Sequence, residues 1–176
     1  MDNFFGVLEA FMSRKVTNVL FVSRENACRG LLAEACLNHL GQGRFKAFSC
    51  GIPARIAERP NGFTLLALQT AAIPALGLSC KSWSVFTRNS APKMDFVIGL
   101  DEETFNEHPA WPGQPVTASW DYPKVFDKKL NSQGAACVRT LMSLRLRLEL
   151  LVSLHAKSKN RFDLQHDLRD LGHVGA

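Results

Sequence analysis

Residues 16–22, VTNVLFV, form a short β-branched run that enters a helical segment through a turn of only eight residues, SRENACRG. The run reads as a buried strand and LLAEACLNHLG as a helix that stops at Gly41. A strand coupled so tightly to a helix is carried back across the sheet before the next strand begins, which favours a parallel neighbour. The exchange then repeats. FKAFSCGI alternates as a second strand and ends in a loop containing Gly and Pro, and residues 60–76 predict a helix with Pro60 near its start and Pro74 near its end. MDFVIGL (94–100) reads as a third strand, VTASW after a Pro-rich loop as a short fourth, and residues 133–156 as a long helix. Strands separated by helices predict an α/β domain with a mainly parallel sheet. In such sheets ligands bind at the carboxyl ends of strands near a topological switch point, which draws attention to the turn after the first strand.

The flanks differ from this core. Phe4, Phe5, Leu8, Phe11 and Met12 fall on one stripe of a helix, so residues 1–15 are expected to be an amphipathic helical extension able to cover a sheet edge or pair two subunits as a homodimer. The α/β domain is placed at 16–157, and residues 158–176 at a polar tail that adds a short helix or frays. The length suits one domain. The run VTNVLFVS is far too short to cross a membrane, and an N-terminus that starts acidic without a basic region is not a signal peptide, so the expected location is cytoplasmic. Cys28, Cys36, Cys50, Cys80 and Cys137 are an odd, widely spaced set without metal-ligand spacing, which predicts reduced thiols and no metal, with Cys80 a buried structural residue. A net charge of +5 favours anionic partners. The cations of the C-terminal third lack the interleaved aromatics that single-stranded nucleic acid needs, so a small oxyanion or a phosphorylated protein is the expected partner.

The turn carries the chemistry. A tight strand-to-helix connection aims successive N–H groups, here those of Arg24, Glu25, Asn26, Ala27, Cys28, Arg29 and Gly30, into one concavity, and the helix end adds its positive dipole. Arg29 is placed for its guanidinium to clamp two oxygens of a tetrahedral oxyanion, and Asn26 to take a left-handed conformation in mid-turn. An ordinary βα connection has the same outline.

Asn26, Cys28, Arg29, Ala33 and Glu34 match, in register, the loop C-x-x-N-x-C-R-S and following A-E pair of the low-molecular-weight tyrosine phosphatase and arsenate reductase superfamily, which this chain resembles. Phe48–Gly51, Lys81–Trp83, Asp95–Ile98 and Trp111–Ala118 resemble segments of its bacterial arsenate-reductase-like branch, so the resemblance runs from about residue 16 to about residue 155. It implies a three-layer flavodoxin-like fold with a four-stranded, mainly parallel sheet, helices on both faces and no cofactor. It also places Ser23 where the family keeps its nucleophilic cysteine, Gly30 where it keeps a hydroxyl, and Lys124 where it keeps the general acid. A serine hydroxyl starts so far above a thiol that no ordinary environmental shift ionises it near neutral pH. Asp121 is the nearest substitute acid and Asp127 a more distant one; Trp83, Trp111 and Trp120 are read as packing residues, although Trp120 and Tyr122 could flank the loop as rim aromatics. Three functional expectations stand together: an oxyanion-binding, catalytically impaired phosphatase-like protein, an active enzyme captured as a Cys-to-Ser variant, or a scaffold without a ligand.

Overall fold

A computed structural model of the chain describes residues 15–125, 129–157 and 161–174. The N-terminal helix expected at 1–15 and the candidate acid Asp127 therefore lie outside the described residues, apart from Lys15. Four strands, β1 (Thr17–Val22), β2 (Phe45–Cys50), β3 (Phe96–Gly99) and β4 (Val116–Ser119), form one parallel sheet in the order β2-β1-β3-β4. This is the flavodoxin-like arrangement. All four expected strands are present, trimmed by a residue or two at their ends.

Alternation along the strands divides the core in two. Val19, Phe21, Phe96, Ile98 and Ala118 face α1 (Arg29–Gly41), α2 (Gly62–Thr70), the long α4 (Leu130–Lys157) and α5 (Arg161–Leu171). Leu20, Val22 and Val97 face the other way, onto Phe86, Met94 and Trp111. That second face is covered by loops, a 3-10 turn at Trp83–Val85 and the short α3 (Glu102–Glu107), whose Phe105 packs where Gly99 leaves room. Helices thus lie on both faces, unequally.

Two elements differ from expectation. The helix predicted over 60–76 is only α2: the Asn61 side chain accepts from the N–H of Phe63 and sets its start, and Ala72 at φ 55° turns the chain just past its end. The tail is not a polar appendage. α5 buries Leu164, Leu168 and Leu171, and the Leu168 carbonyl accepts the indole N–H of the fully buried Trp120 at 2.9 Å. Among the described residues no helix is long and apolar enough to cross a membrane.

Candidate functional site

Val22 stands level with Cys50 on one side and Gly99 on the other, and Gly99 level with Ser119. Four strand ends therefore open onto one rim. The connection from β1 runs outward to β2 and that from β3 runs outward to β4 on the opposite side, so the crevice between β1 and β3 is the switch point of the sheet. The loop from Ser23 to Cys28 rises there, and Leu100 and Asp101 leave β3 beside it.

The loop is held from outside by its carbonyls. Ile52 N–H donates to Arg24 O, Ala57 N–H to Glu25 O, and both Asn61 N–H and the Thr64 hydroxyl to Ala27 O. With these carbonyls drawn outward, the loop's N–H groups turn toward the concavity, and those of residues 25–28 find no acceptor among the described residues. Asn26 takes the left-handed conformation at φ 52°, as its place in mid-turn predicts. Two glycines permit the packing. A Cβ on Gly51 would stand 2.7 Å from Ser23 O and 2.8 Å from Arg24 O, and one on Gly30 would stand 2.7 Å from Asn26 Oδ1 and 2.9 Å from Ser23 Oγ.

The result is a small cavity of about 140 Å³ lined by residues 23–29 together with Lys124 and Val125. Ser23 and Asn26 are buried to within 2% of complete, yet the Ser23 hydroxyl and both polar atoms of the Asn26 amide have no hydrogen-bond partner among the described residues. Buried polar atoms without partners are costly, so their convergence on one cavity marks a place built for a polar guest.

Arg29 departs from the expected clamp. Its fork is turned inward: one terminal nitrogen donates to Tyr122 O at 2.7 Å, and the other meets Asp101 Oδ2 at 2.9 Å in a buried ion pair. Asp101 is the residue that sequence reasoning missed. Its Oδ2 also accepts the Arg24 N–H, at 3.3 Å, while Oδ1 caps α3 by accepting from the Thr104 N–H at 2.8 Å. The Arg24 side chain in turn reaches Glu103, which also pairs with Arg55. Both loop arginines are thus balanced by carboxylates from the start of α3. Lys124, exposed at the mouth, has no ion pair among the described residues.

Asp121, the substitute acid, is not brought to this cavity. It is exposed and lines a neighbouring hollow instead, because the chain after β4 turns Lys124 and Val125 toward the loop. Trp120 is fully buried, in keeping with a packing residue, and Tyr122 is buried too rather than set on the rim. Among the described residues no group of His, Cys, Asp and Glu is arranged to hold a metal ion.

Cys28 faces α4, its sulfur 3.5 Å from that of Cys137. The shared hydrogen bond and burial push the Cys28 thiol far above its ordinary value, while the same bond draws Cys137 down. Cys28 is therefore held protonated and is no thiolate nucleophile. Cys80, expected to be buried, is partly exposed on the chain leading to Lys81. Burial also raises Cys36, from 9.0 to about 11. A thiol that ionises later in the folded state contributes stability that is fully present below the unfolded value and fades as pH rises past it. Urea unfolding is accordingly expected to lose about 2–3 kcal/mol from Cys36 alone between pH 9 and 11, and Cys36→Ala to flatten that decline. An unchanged slope in the variant would contradict this assignment.

Solved structures place the fold among known proteins. An arsenate reductase in the phosphate-binding state is 22% identical and superposes with a TM-score of 0.64 over 79% of this chain and 98% of that one. Wzb from Vibrio vulnificus, in complex with benzylphosphonate, is 12% identical with a TM-score of 0.64 over 80% and 99%. The YwlE arginine phosphatase, as a Cys-to-Ser variant with a phosphorylated active-site serine, is 17% identical with a TM-score of 0.63 over 82% and 99%. No curated protein matches the chain in sequence. The family model of low molecular weight phosphotyrosine protein phosphatase matches residues 18–120, more than half of the sequence, and the chain belongs to that family.

Proposed function

We propose that the loop 23–30 binds a tetrahedral oxyanion (phosphate, arsenate or the phosphate of a phosphorylated tyrosine) and that Ser23 leaves the site catalytically impaired. The observation that carries the reading is the convergence of unbonded N–H groups from residues 25–28 with the unpartnered Ser23 hydroxyl and Asn26 amide on one small cavity. Such a cradle suits an anion because its dipoles are fixed in advance. Lys124 adds a full positive charge at the mouth, and Arg29 lines the cavity as a buried cation already balanced by Asp101.

The same geometry argues against turnover. Ser23 stands at the position of the family's nucleophilic cysteine, Cys28 is protonated and turned toward α4, and the lining holds Lys124 where a leaving group would need an acid. A lysine ammonium holds an anion well, but its pKa is poorly matched to protonating a leaving group. The related arginine phosphatase carries a phosphorylated serine at its active site in the Cys-to-Ser form. A stalled phosphoserine is the form of partial chemistry this reading allows.

The test is para-nitrophenyl phosphate hydrolysis by this chain and by Ser23→Cys, beside unfolding with and without inorganic phosphate. The parent is expected to be inert, yet stabilised by about 2.7 kcal/mol at a hundredfold excess of phosphate over its dissociation constant. Turnover by the cysteine form alone would show that the serine by itself silences the site. Sustained turnover by the serine form would overturn the reading of impairment, and indifference to phosphate and arsenate would overturn the binding site itself.

A further inference from the structure

Beyond Lys124 and Val125, which it shares with the loop cavity, lies a second hollow of about 310 Å³ between the chain after β4 and the helix α4. Its α4 wall is built at helical spacing: Arg139, Ser143 and Arg147 follow one another at intervals of four, with Thr140 beside them. The opposite wall is Asp121, Tyr122 and Pro123.

Arg147 is the anomaly. It is only 2% exposed, yet no carboxylate among the described residues pairs with it. Its Nε donates to the Val174 carbonyl at 2.8 Å, and its guanidinium lies 4.6 Å from the centre of the Tyr122 ring. A carbonyl and an aromatic face soften a buried charge without neutralising it, and one terminal nitrogen has no hydrogen-bond partner among the described residues. The Tyr122 hydroxyl is also buried, close to Ser143 and Arg147 but with no hydrogen bond of ordinary geometry among the described residues. Arg139 and Lys124 stand exposed at the edge of the hollow, and the single carboxylate there, Asp121, is exposed and forms no ion pair with either arginine. A pocket with a deep uncompensated guanidinium, two further cations and hydroxyls from Thr140 and Ser143 is matched by a carboxylate or phosphate group, which offers the planar or tetrahedral oxygens that a guanidinium binds in pairs.

We propose that this hollow is a second anion subsite, and that it receives an acidic group belonging to the same ligand whose tetrahedral oxyanion occupies the loop. The preferred ligand class is then a phosphate ester carrying a second negative group, a phosphorylated residue flanked by acidic side chains or a small bisphosphate, rather than a free phosphate. This rests on the loop reading above, with Lys124 standing between the two subsites and able to serve either.

Calorimetric titration of the whole chain tests it with five probes. These are inorganic phosphate, a phosphotyrosine peptide with flanking Glu residues, its Gln counterpart, a sugar bisphosphate and the matching monophosphate. The parent is expected to bind at least one of the probes with two acidic groups about tenfold more tightly than its counterpart with the phosphate alone. Whichever pair shows the gain identifies peptide carboxylate or second phosphate as the source. Arg147→Met and, because a buried substitution can unfold the chain, the exposed Arg139→Gln are each expected to shrink that preference while affinity for inorganic phosphate stays put. Arg88→Gln removes the same charge from an exposed position away from both cavities and is expected to leave the preference intact. Equal binding of acidic and neutral probes by the parent, or a preference that Arg88→Gln abolishes as fully as Arg139→Gln, would overturn the subsite. Failure of inorganic phosphate to bind would instead sink the loop reading, and the subsite with it.

Discussion

Asp101→Ala is expected to destabilise the fold by about 3–5 kcal/mol, the cost of leaving one member of a buried ion pair without the other. The single carboxylate meets Arg29 at 2.9 Å, caps α3 through the Thr104 N–H and accepts the Arg24 N–H at the root of the loop. Loss of the cap alone accounts for about 1 kcal/mol of this. Asp101→Asn keeps an acceptor for the cap but removes the charge, so it is expected to retain that part and lose the rest. Because the deletion frees Arg29, added phosphate should stabilise Asp101→Ala by more than it stabilises the parent. Denaturant unfolding of the two variants, with and without phosphate, reads all of these outcomes. A loss below about 1 kcal/mol would mean that the pair is not what holds the loop against β3.

The second large effect concerns the last helix. Leu164, Leu168 and Leu171 are each at most 5% exposed. At about 1.5–3 kcal/mol for each buried leucine, α5 supplies about 5–9 kcal/mol before its own ordering is counted. That is comparable with the whole stability of an ordinary domain, about 5–15 kcal/mol. A chain ending at residue 157 would also expose Trp120 and strip its indole N–H of the Leu168 carbonyl. Such a chain is expected to lose cooperative unfolding near room temperature. Retention of a cooperative transition within about 1 kcal/mol of the parent would show α5 to be dispensable.

Sequence legibility followed the range of the interactions involved. The central strands were readable because β1 and β3 lie inside the sheet, and the stretches buried on both faces, Val19 to Val22 and Phe96 to Ile98, must be apolar. The loop was readable because its elements are consecutive, and Asn26 took the left-handed turn its residue type suggests. The direction of Arg29 was not, since its partner lies 72 residues away and a guanidinium on a turn points equally well to an outside anion or an inside one. A signal for Asp101 did exist: Asp followed by Glu102, Glu103 and Thr104 is a helix start with an acidic first turn. The apolar run that marks the third strand ends at Leu100, one residue short of it. The tail hid its leucines among charges, although 164, 168 and 171 keep the spacing of a single helix face. Asp121 and Lys124 differ by three positions in a stretch without regular structure, where the turn of the chain decides which side chain reaches the loop.

The order of the sheet also bears on how the protein is made. As the chain leaves the ribosome, β2 can dock on one edge of β1, β3 on the other, and β4 on β3, each new strand finding its neighbour already in place. Trp120 arrives with β4, but the helix that shields it is completed only at Leu171, after the whole of α4 has emerged. Through that interval a large aromatic surface stands open at the sheet's rim, a natural foothold for a chaperone and the place where a stalled nascent chain would be most prone to aggregate.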